Sequence, residues 1–272
     1  MEYLRDNLTK AMRWKIAEQL AKDRLEDINK DLDEVKVNNT FYTRYGKRVL
    51  DIILSLIAIV ITLPINLAIL MITFFDVGNP VFFKQQRVGK NGKIFTIVKF
   101  RNMRNITDDS GELLPAEQRV TKWGKFARKT SLDELLNFYN ILKGDMSIIG
   151  PRPLPTEYLI RYNKRHIMRL AVRPGLECPP REFKKDIWTW QEHLDNDVWY
   201  VENVSLLVDI LESIRLVRMV FNRKSAEKRA AVQVGTFMGY NLNGEAITLE
   251  DIPQEYVEQE FRRVKGMKYY DE

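Results

Sequence analysis

Leu4, Leu8, Met12, Ile16, Leu20, Leu25, Ile28, Leu32 and Val35 recur at helical spacing, and residues 3–36 contain neither Gly nor Pro. This period predicts an amphipathic helix, or two, stopping at Asn38-Asn39. Its apolar stripe can pack on the rest of the protein or on a second copy, which leaves a homodimer open; a membrane-surface contact near Trp14 is open too. From Val49 to Phe75 the pattern changes: Asp51 is the only charge in VLDIILSLIAIVITLPINLAILMITFF. As a straight helix this run would reach about 40 Å, enough to cross a bilayer. Beyond it, Val81–Phe83 and Thr96–Phe100 flank Gly89 and Asn91-Gly92, a hairpin pattern. Residues 104–120 are polar and loop-like. Helical spacing resumes over Leu132–Leu142, with Ser131 or Thr130 as N-cap, and again over 155–170. Residues 204–221 form a strongly apolar helix suited to a membrane interface or to a core. The tail beyond about 231 reads as a small appendage.

Charge decides how the apolar run meets a membrane. Arg44, Lys47 and Arg48 precede it, and Lys84, Arg87, Lys90, Lys93, Lys99, Arg101 and Arg104 follow it. Basic flanks belong on the cytoplasmic face, so a straight span would violate the rule at one end. Pro64 near the middle removes a backbone N–H and bends a helix, while Thr62 and Asn66 can satisfy the freed groups. The expectation is a re-entrant helix-break-helix that enters and leaves by one leaflet. The predicted fold class is α+β, mainly α with a small β-hairpin, and a compact cytoplasmic domain with amphipathic interface helices. The expected divisions are residues 1–43 (helical extension), 44–76 (membrane helix), 77–224 (cytoplasmic domain) and 225–272 (C-terminal appendage).

The 272-residue chain carries a formal net charge of +6, which points to an anionic partner. The basic residues cluster beside the membrane segment, where anionic lipid explains them better than nucleic acid does. Cys178 is the only cysteine, and His166 and His193 are the only histidines. That excludes a disulfide framework, a Cys-based zinc site and a His-rich metal site. Chemistry therefore falls to carboxylates, Arg, Lys, Ser or Tyr. The vicinal pair Asp133-Glu134 stands at a predicted helix start, with Arg128 upstream and Pro151-Arg152-Pro153 downstream. Alone, such a pair complements a helix dipole. Beside Arg128, Arg152 and Arg101, all suited to bidentate phosphate contacts, it reads as a site for a metal ion and a phosphate. Lys143-Gly144-Asp145 reads as a helix C-cap and turn, with a weak claim by Asp145 on metal.

These residues lie in a longer series of motifs. They are K-R-x-x-D (Lys47–Asp51), Q-x-R-x-G-x-x-G-x-x-F (Gln85–Phe95), K-F-R-x-M (Lys99–Met103) and R-x-x-S-L-D-E-L (Arg128–Leu135). N-x-L-K-G-D-M-S-x-x-G-P-R-P (Asn140–Pro153), R-P-G (Arg173–Gly175) and D-V-x-Y-V-E-N-x-S (Asp197–Ser205) follow. In this order, over about residues 44–220, the chain resembles the bacterial sugar transferases, the monotopic polyprenyl-phosphate phosphoglycosyl transferases. The resemblance implies a ping-pong reaction with Mg²⁺ at the cytoplasmic face of the bacterial inner membrane. Asp133 would be the nucleophile on a UDP-sugar, releasing UMP, and polyprenyl (undecaprenyl) phosphate would then take the phosphosugar. Glu134 would assist as metal ligand, with Asp133, or as proton acceptor. Arg128 and Arg152 would hold phosphate oxygens, and Arg101, Lys99, Pro151, Pro153 and Asp197 complete the implied substrate site. Two departures stand out: Leu63-Pro64 replaces the family's Ser-Pro, and LECPPREFKKD follows R-P-G where I-T-G-x-x-Q-V-N-G-R is usual. The second departure leaves the donor's sugar open. A Mg²⁺-dependent phosphohydrolase and a non-enzymatic scaffold of the same fold are the alternative readings.

Overall fold

The computed structural model describes residues 5, 7–108, 111, 113–179, 189–222 and 235–268. Helix α1, Lys10–Ile28, begins at Thr9, whose side chain accepts from the Met12 N–H. It ends well before the expected Asn38-Asn39. The Asn29 side chain accepts the Lys164 N–H at 2.7 Å, and this contact turns the chain away from the helix axis. The stripe of Met12, Ile16 and Leu20 is buried, and its partner is the C-terminal segment: Met238, Ile247, Ile252 and Val257 share its core. That segment forms a minimal hairpin, β5 (Gly239–Tyr240) and β6 (Ala246–Ile247), and helix α7 (Gln254–Lys268). What reads as an appendage in the sequence is thus half of a small core. Arg24 donates to the Tyr240 carbonyl at 2.7 Å and His166 Nδ1 lies 2.8 Å from the Tyr240 hydroxyl, which ties this unit to the central domain.

Helix α2, Lys47–Val77, follows a π-helical turn at Tyr42–Gly46. Among the described residues it is the one helix long and apolar enough to cross a membrane. Its pattern is inverted relative to a soluble helix. Asp51, Ser55, Asn66 and Thr73 are buried, while Val60, Ile61, Leu63, Leu67 and Phe75 are exposed. Both ends lie on the same protein body. Near the start, Arg48 donates to the Ile141 and Leu142 carbonyls at 2.6 and 2.7 Å, and Asp51 accepts from Ser147 Oγ and the Ile148 N–H. Near the end, Trp123 Nε1 donates to Thr73 at 3.2 Å, and Ile69 packs with Val81 and Phe100. The expected break at Pro64 is instead a continuous stretch of helix. Asn66 donates to Thr62 and Thr62 donates to the Ala58 carbonyl, so the polar side chains flanking the proline bond within the helix itself.

The predicted hairpin is present. Strands β1 (Phe82–Val88) and β2 (Ile94–Phe100) pair antiparallel from Phe82↔Phe100 to Val88↔Ile94. Asn91, with φ of 56°, and Gly92, with φ of 76°, make the turn between them. Helix α3 (Lys122–Thr130) and helix α4 (Asn137–Lys143) flank a 3₁₀ turn at Leu132–Glu134. Strand β3 (Ser147–Ile149) pairs parallel with β4 (Gly175–Glu177). The helix expected over 155–170 is two 3₁₀ segments, Thr156–Arg161 and His166–Ala171. Between them the Asn163 side chain takes the His166 N–H at 2.7 Å, so side chain competes with backbone and stops a continuous helix.

Helix α5 (Trp190–Asn203) opens with a Thr189/Glu192 capping box, and α6 (Leu206–Phe221) is capped by Ser205. The sequence leaves α6 either in a core or at an interface. In the structure its Leu206, Leu207, Ile210, Leu211, Ile214 and Val217 are exposed, and Asp209 and Glu212 are buried. Lys47 and Asp209 meet at 2.6 Å, so α6 is fastened beside the first turn of α2.

Ile16, 2% exposed in the shared terminal core, tests whether α1 is integral to the fold. Ile16→Ala should destabilise the protein by about 3 kcal/mol through lost burial and a residual cavity. Denaturant unfolding in detergent followed by Trp fluorescence reads this, and an unchanged midpoint would contradict it.

Candidate functional site

The site forms where the hairpin, the α3–α4 junction and the Pro151-Arg152-Pro153 turn converge. Helix α3 ends at Ser131, which adopts the left-handed conformation with φ of 58°. Ser131 makes no side-chain cap for the following turn, contrary to the expected N-cap. Asp133 and Glu134 consequently sit in the 3₁₀ turn, ahead of α4, and dipole complementarity is not their main support. Gly124 sets how closely α3 approaches the end of β2: a Cβ there would lie 2.0 Å from the Asn102 carbonyl oxygen. Held this way, Asn102 donates to Asp133 Oδ2 at 3.1 Å. Asp133 is 6% exposed.

Glu134 is held differently. Lys99 Nζ and Arg152 Nη2 each lie 2.5 Å from its Oε1, which leaves Oε2 without a hydrogen bond. Arg152 Nη1 also donates to the Leu176 carbonyl at 2.9 Å and lies 3.7 Å from Glu177 Oε2. These groups line a cavity of about 680 Å³, together with Gln85, Arg87, Arg101, Arg119 and Arg128.

The electrostatics separate the two acids. Burial, then the adjacent Glu134 charge, raises the Asp133 pKa, while Lys99 and Arg128 oppose the rise. Burial also works against the Glu134 charge, but Arg152 and Lys99 outweigh it and hold that carboxyl at about 2. Lys99 is pushed down by burial although Glu134 pulls it up; in this crowded cluster desolvation exceeds the benefit of the ion pair. Arg152 is raised, chiefly by Glu134. Glu134 is thus a fixed anion committed to two cations, and Asp133 is the more basic carboxylate.

The expected site residues fall into distinct places. Asp133, Glu134, Lys99, Arg101, Arg128 and Arg152 are brought together on the cavity wall. Among the described residues Arg128 has no side-chain hydrogen-bond partner, so its donors are available to an anion. Arg101 is committed to backbone, donating to the Val77 carbonyl at 2.6 Å and the Met103 carbonyl at 3.1 Å. Pro153 borders a smaller adjoining space with Arg87, Lys99 and Glu134, while the Pro151 carbonyl accepts the Gly175 N–H. Asp197 is not in the cavity. It is 1% exposed and pairs with Arg169, whose Nη2 donates to the Arg152 carbonyl at 2.8 Å. Asp197 therefore supports the proline turn from behind. Asp145 pairs with Lys143 and lies outside the cavity lining. Arg87, Asn102 and Glu177 line the cavity without having been singled out in the sequence. Period-two alternation offered the signal for Arg87, since Phe83, Gln85 and Arg87 share one face of β1.

Among the described residues no group of three or more His, Cys, Asp or Glu side chains is arranged to hold a metal. Mg²⁺ needs no such cage, because one or two carboxylates with substrate phosphates and water complete its octahedron. Asp133 and the free Oε2 of Glu134 fit that requirement.

A model of the bacterial sugar transferase family matches residues 42–223. The chain belongs to this family. The transferase is 37% identical over 193 residues to the sugar transferase EpsL of Bacillus subtilis strain 168, covering 71% of this chain and 96% of that protein. It is 34% identical over 182 residues to the UDP-N-acetylgalactosamine-undecaprenyl-phosphate N-acetylgalactosaminephosphotransferase of Aeromonas hydrophila, covering 64% of this chain and 43% of that one. Against the undecaprenyl-phosphate galactose phosphotransferase of Salmonella typhimurium it is 33% identical over 201 residues, covering 68% and 42%. The transferase spans less than half the length of these last two relatives. The family match covers the hairpin, the carboxylate pair and the proline turn, and leaves α1 and residues 235–268 outside it.

The low Glu134 pKa carries a stability consequence. Its stabilisation is complete above the ordinary value of 4.5 and disappears as pH falls toward about 2. Glu134→Gln leaves Lys99 and Arg152 without their anion and should cost about 3 kcal/mol at neutral pH. Thermal melts between pH 6 and 2 should show a steeper acid loss for wild type than for the variant; parallel curves would refute the assignment.

Proposed function

We propose that the chain transfers a sugar 1-phosphate from a UDP-sugar to polyprenyl phosphate, such as undecaprenyl phosphate, with release of UMP. The observation that carries this reading is the unequal carboxylate pair. Asp133 is more basic than an ordinary Asp and takes one side-chain hydrogen bond, whereas Glu134 is locked as an anion between Lys99 and Arg152. The more basic carboxylate is the better nucleophile. Asp133 attacks the sugar-proximal phosphorus, the P–O–P bond breaks, and the electron pair leaves with UMP. A phosphosugar-aspartyl ester results. An oxygen of polyprenyl phosphate then attacks the same phosphorus and frees the Asp133 carboxylate.

Glu134 is too acidic to act as a proton acceptor near neutral pH, and neither step requires one. Its work is to orient Lys99 and Arg152. Arg128, with free donors, meets phosphate oxygens of donor or acceptor. Mg²⁺ held by Asp133, Glu134 Oε2 and the donor phosphates would supply further neutralisation of charge. The relatives' names support the reaction class: both phosphotransferases carry undecaprenyl phosphate in their names, and the Aeromonas protein also carries a UDP-sugar.

The anchor supports a lipid acceptor, at the cytoplasmic face of a bacterial inner membrane. A straight α2 would place Arg48 and Ile69 about 32 Å apart, yet both contact one compact domain. The 3₁₀ turn and α4, which run from beside Ile69 to the Arg48 contacts, extend only about 20 Å. That mismatch favours an α2 bent at Pro64, with both ends in one leaflet. The exposed apolar face of α6 is fastened to the foot of α2, and Arg101 joins the cavity wall to the last turn of α2. A lipid phosphate at the interface is thereby within reach of the cavity.

Asp133→Asn should abolish UMP release and lipid-linked product, at least a thousandfold, while leaving membrane association intact; robust turnover by this variant would sink the nucleophile assignment. For topology, Tyr45→Cys and Lys84→Cys in a Cys178→Ser background should react with an impermeant maleimide from the same side of sealed vesicles. Labelling from opposite sides would eliminate the re-entrant arrangement.

A further inference from the structure

The cavity holds three carboxylates, and the proposed transfer uses only Asp133 and Glu134. The third, Glu177, lies in the stretch where Leu-Glu-Cys replaces the family's I-T-G. Residue 177 pairs with Ile149 in the parallel sheet, and its carbonyl accepts the Gly150 N–H at 3.3 Å. Oε1 accepts the Cys178 N–H, whereas among the described residues Oε2 takes no hydrogen bond; Arg152 Nη1, at 3.7 Å, is beyond that range. The side chain is 22% exposed, on the cavity wall.

The Arg152 guanidinium spaces Glu177 from the catalytic pair, with Nη2 on Glu134 and Nη1 toward Glu177. A phosphate cannot settle against Glu177 without charge repulsion. Uridine, with its ribose hydroxyls and uracil N3–H as donors, lies beyond the α-phosphate when the sugar-proximal phosphorus is at Asp133. What remains beside a phosphorus at Asp133 is the sugar. A carboxylate only accepts hydrogen bonds, so it selects sugar positions that donate and repels sugars that are themselves anionic. We infer that Glu177 reads the donor's sugar by accepting a hydrogen bond from a hydroxyl or amino group, and excludes uronic acids. This inference rests on the transfer reading of the site.

The test measures binding of UDP, UDP-glucose, a UDP-amino sugar and UDP-glucuronate to the full chain in detergent by calorimetry, with UMP release as a second readout. Glu177→Gln should weaken the neutral and amino-sugar donors about tenfold, the worth of one hydrogen bond to a charged acceptor, while tightening UDP-glucuronate and leaving UDP unchanged. A larger loss for the amino sugar identifies an ammonium partner; equal losses identify a hydroxyl. Glu177→Asp, which keeps the charge but shortens the reach, should lose donor affinity and still reject the uronate, and it serves if the Gln variant fails to fold. Identical shifts for UDP and every UDP-sugar, or no shift, overturn the assignment. Discrimination without UMP release from any donor keeps Glu177 as the sugar reader and sinks the transfer reading. Wild type that binds no UDP-sugar overturns both.

Discussion

One oxygen atom, Oε1 of Glu134, ties together three parts of the chain. Lys99 comes from the hairpin, Glu134 from the 3₁₀ turn and Arg152 from the proline turn, and both cations converge on that oxygen. Burying two cations with one anion is costly unless geometry is good and every member is bonded. Arg152 meets that demand through Leu176, and its carbonyl is held by Arg169, which is itself paired with Asp197. The cavity is therefore supported by a chain of charge contacts extending from its wall into the core. Asp133 owes its distinct character to this arrangement: its neighbour is held as an anion, and burial together with that charge raises the Asp133 carboxyl.

The membrane element follows the reverse of the usual burial rule. Helix α2 places Asp51, Ser55 and Thr73 toward protein and exposes most of its large aliphatic residues. For a helix whose surroundings are lipid, this is the low-energy orientation, because polar groups find partners only in the protein. Asp51 illustrates the point, since its Oδ1 accepts both the Ser147 hydroxyl and the Ile148 N–H. Position and chemistry are coupled here. The residues that dock the first turns of α2 lie on α4 and β3, in the segment that follows the 3₁₀ turn carrying Asp133.

Legibility in the sequence depended on whether the information was local. Asn91-Gly92 announces its turn because its left-handed conformation is intrinsic to those residue types, and the apolar run from Val49 needs no partner to be recognised. The carboxylate pair and its arginines were readable as an ordered set of motifs. Ser131 has the residue type of an N-cap, but it stands at the C-terminal end of α3 in the left-handed conformation, its N–H on the Ala127 and Arg128 carbonyls. The two 3₁₀ segments after Pro155 were likewise hidden, since helical spacing cannot reveal that Asn163 will cap His166. Asp197 looked like a ligand residue from its motif; only the fold shows that it acts through Arg169.

The pairing of α1 with residues 235–268 has a temporal side. A ribosome makes α1 before the whole family-matched region, 42–223, and makes its core partners Met238, Ile247, Ile252 and Val257 after it. Through that interval the stripe of Met12, Ile16 and Leu20 has no native cover, while α2 is already available to the membrane. Closure of the unit is thus a late event in biogenesis. It follows the whole family-matched region, and it turns two distant stretches of chain into a clasp around the His166–Tyr240 contact.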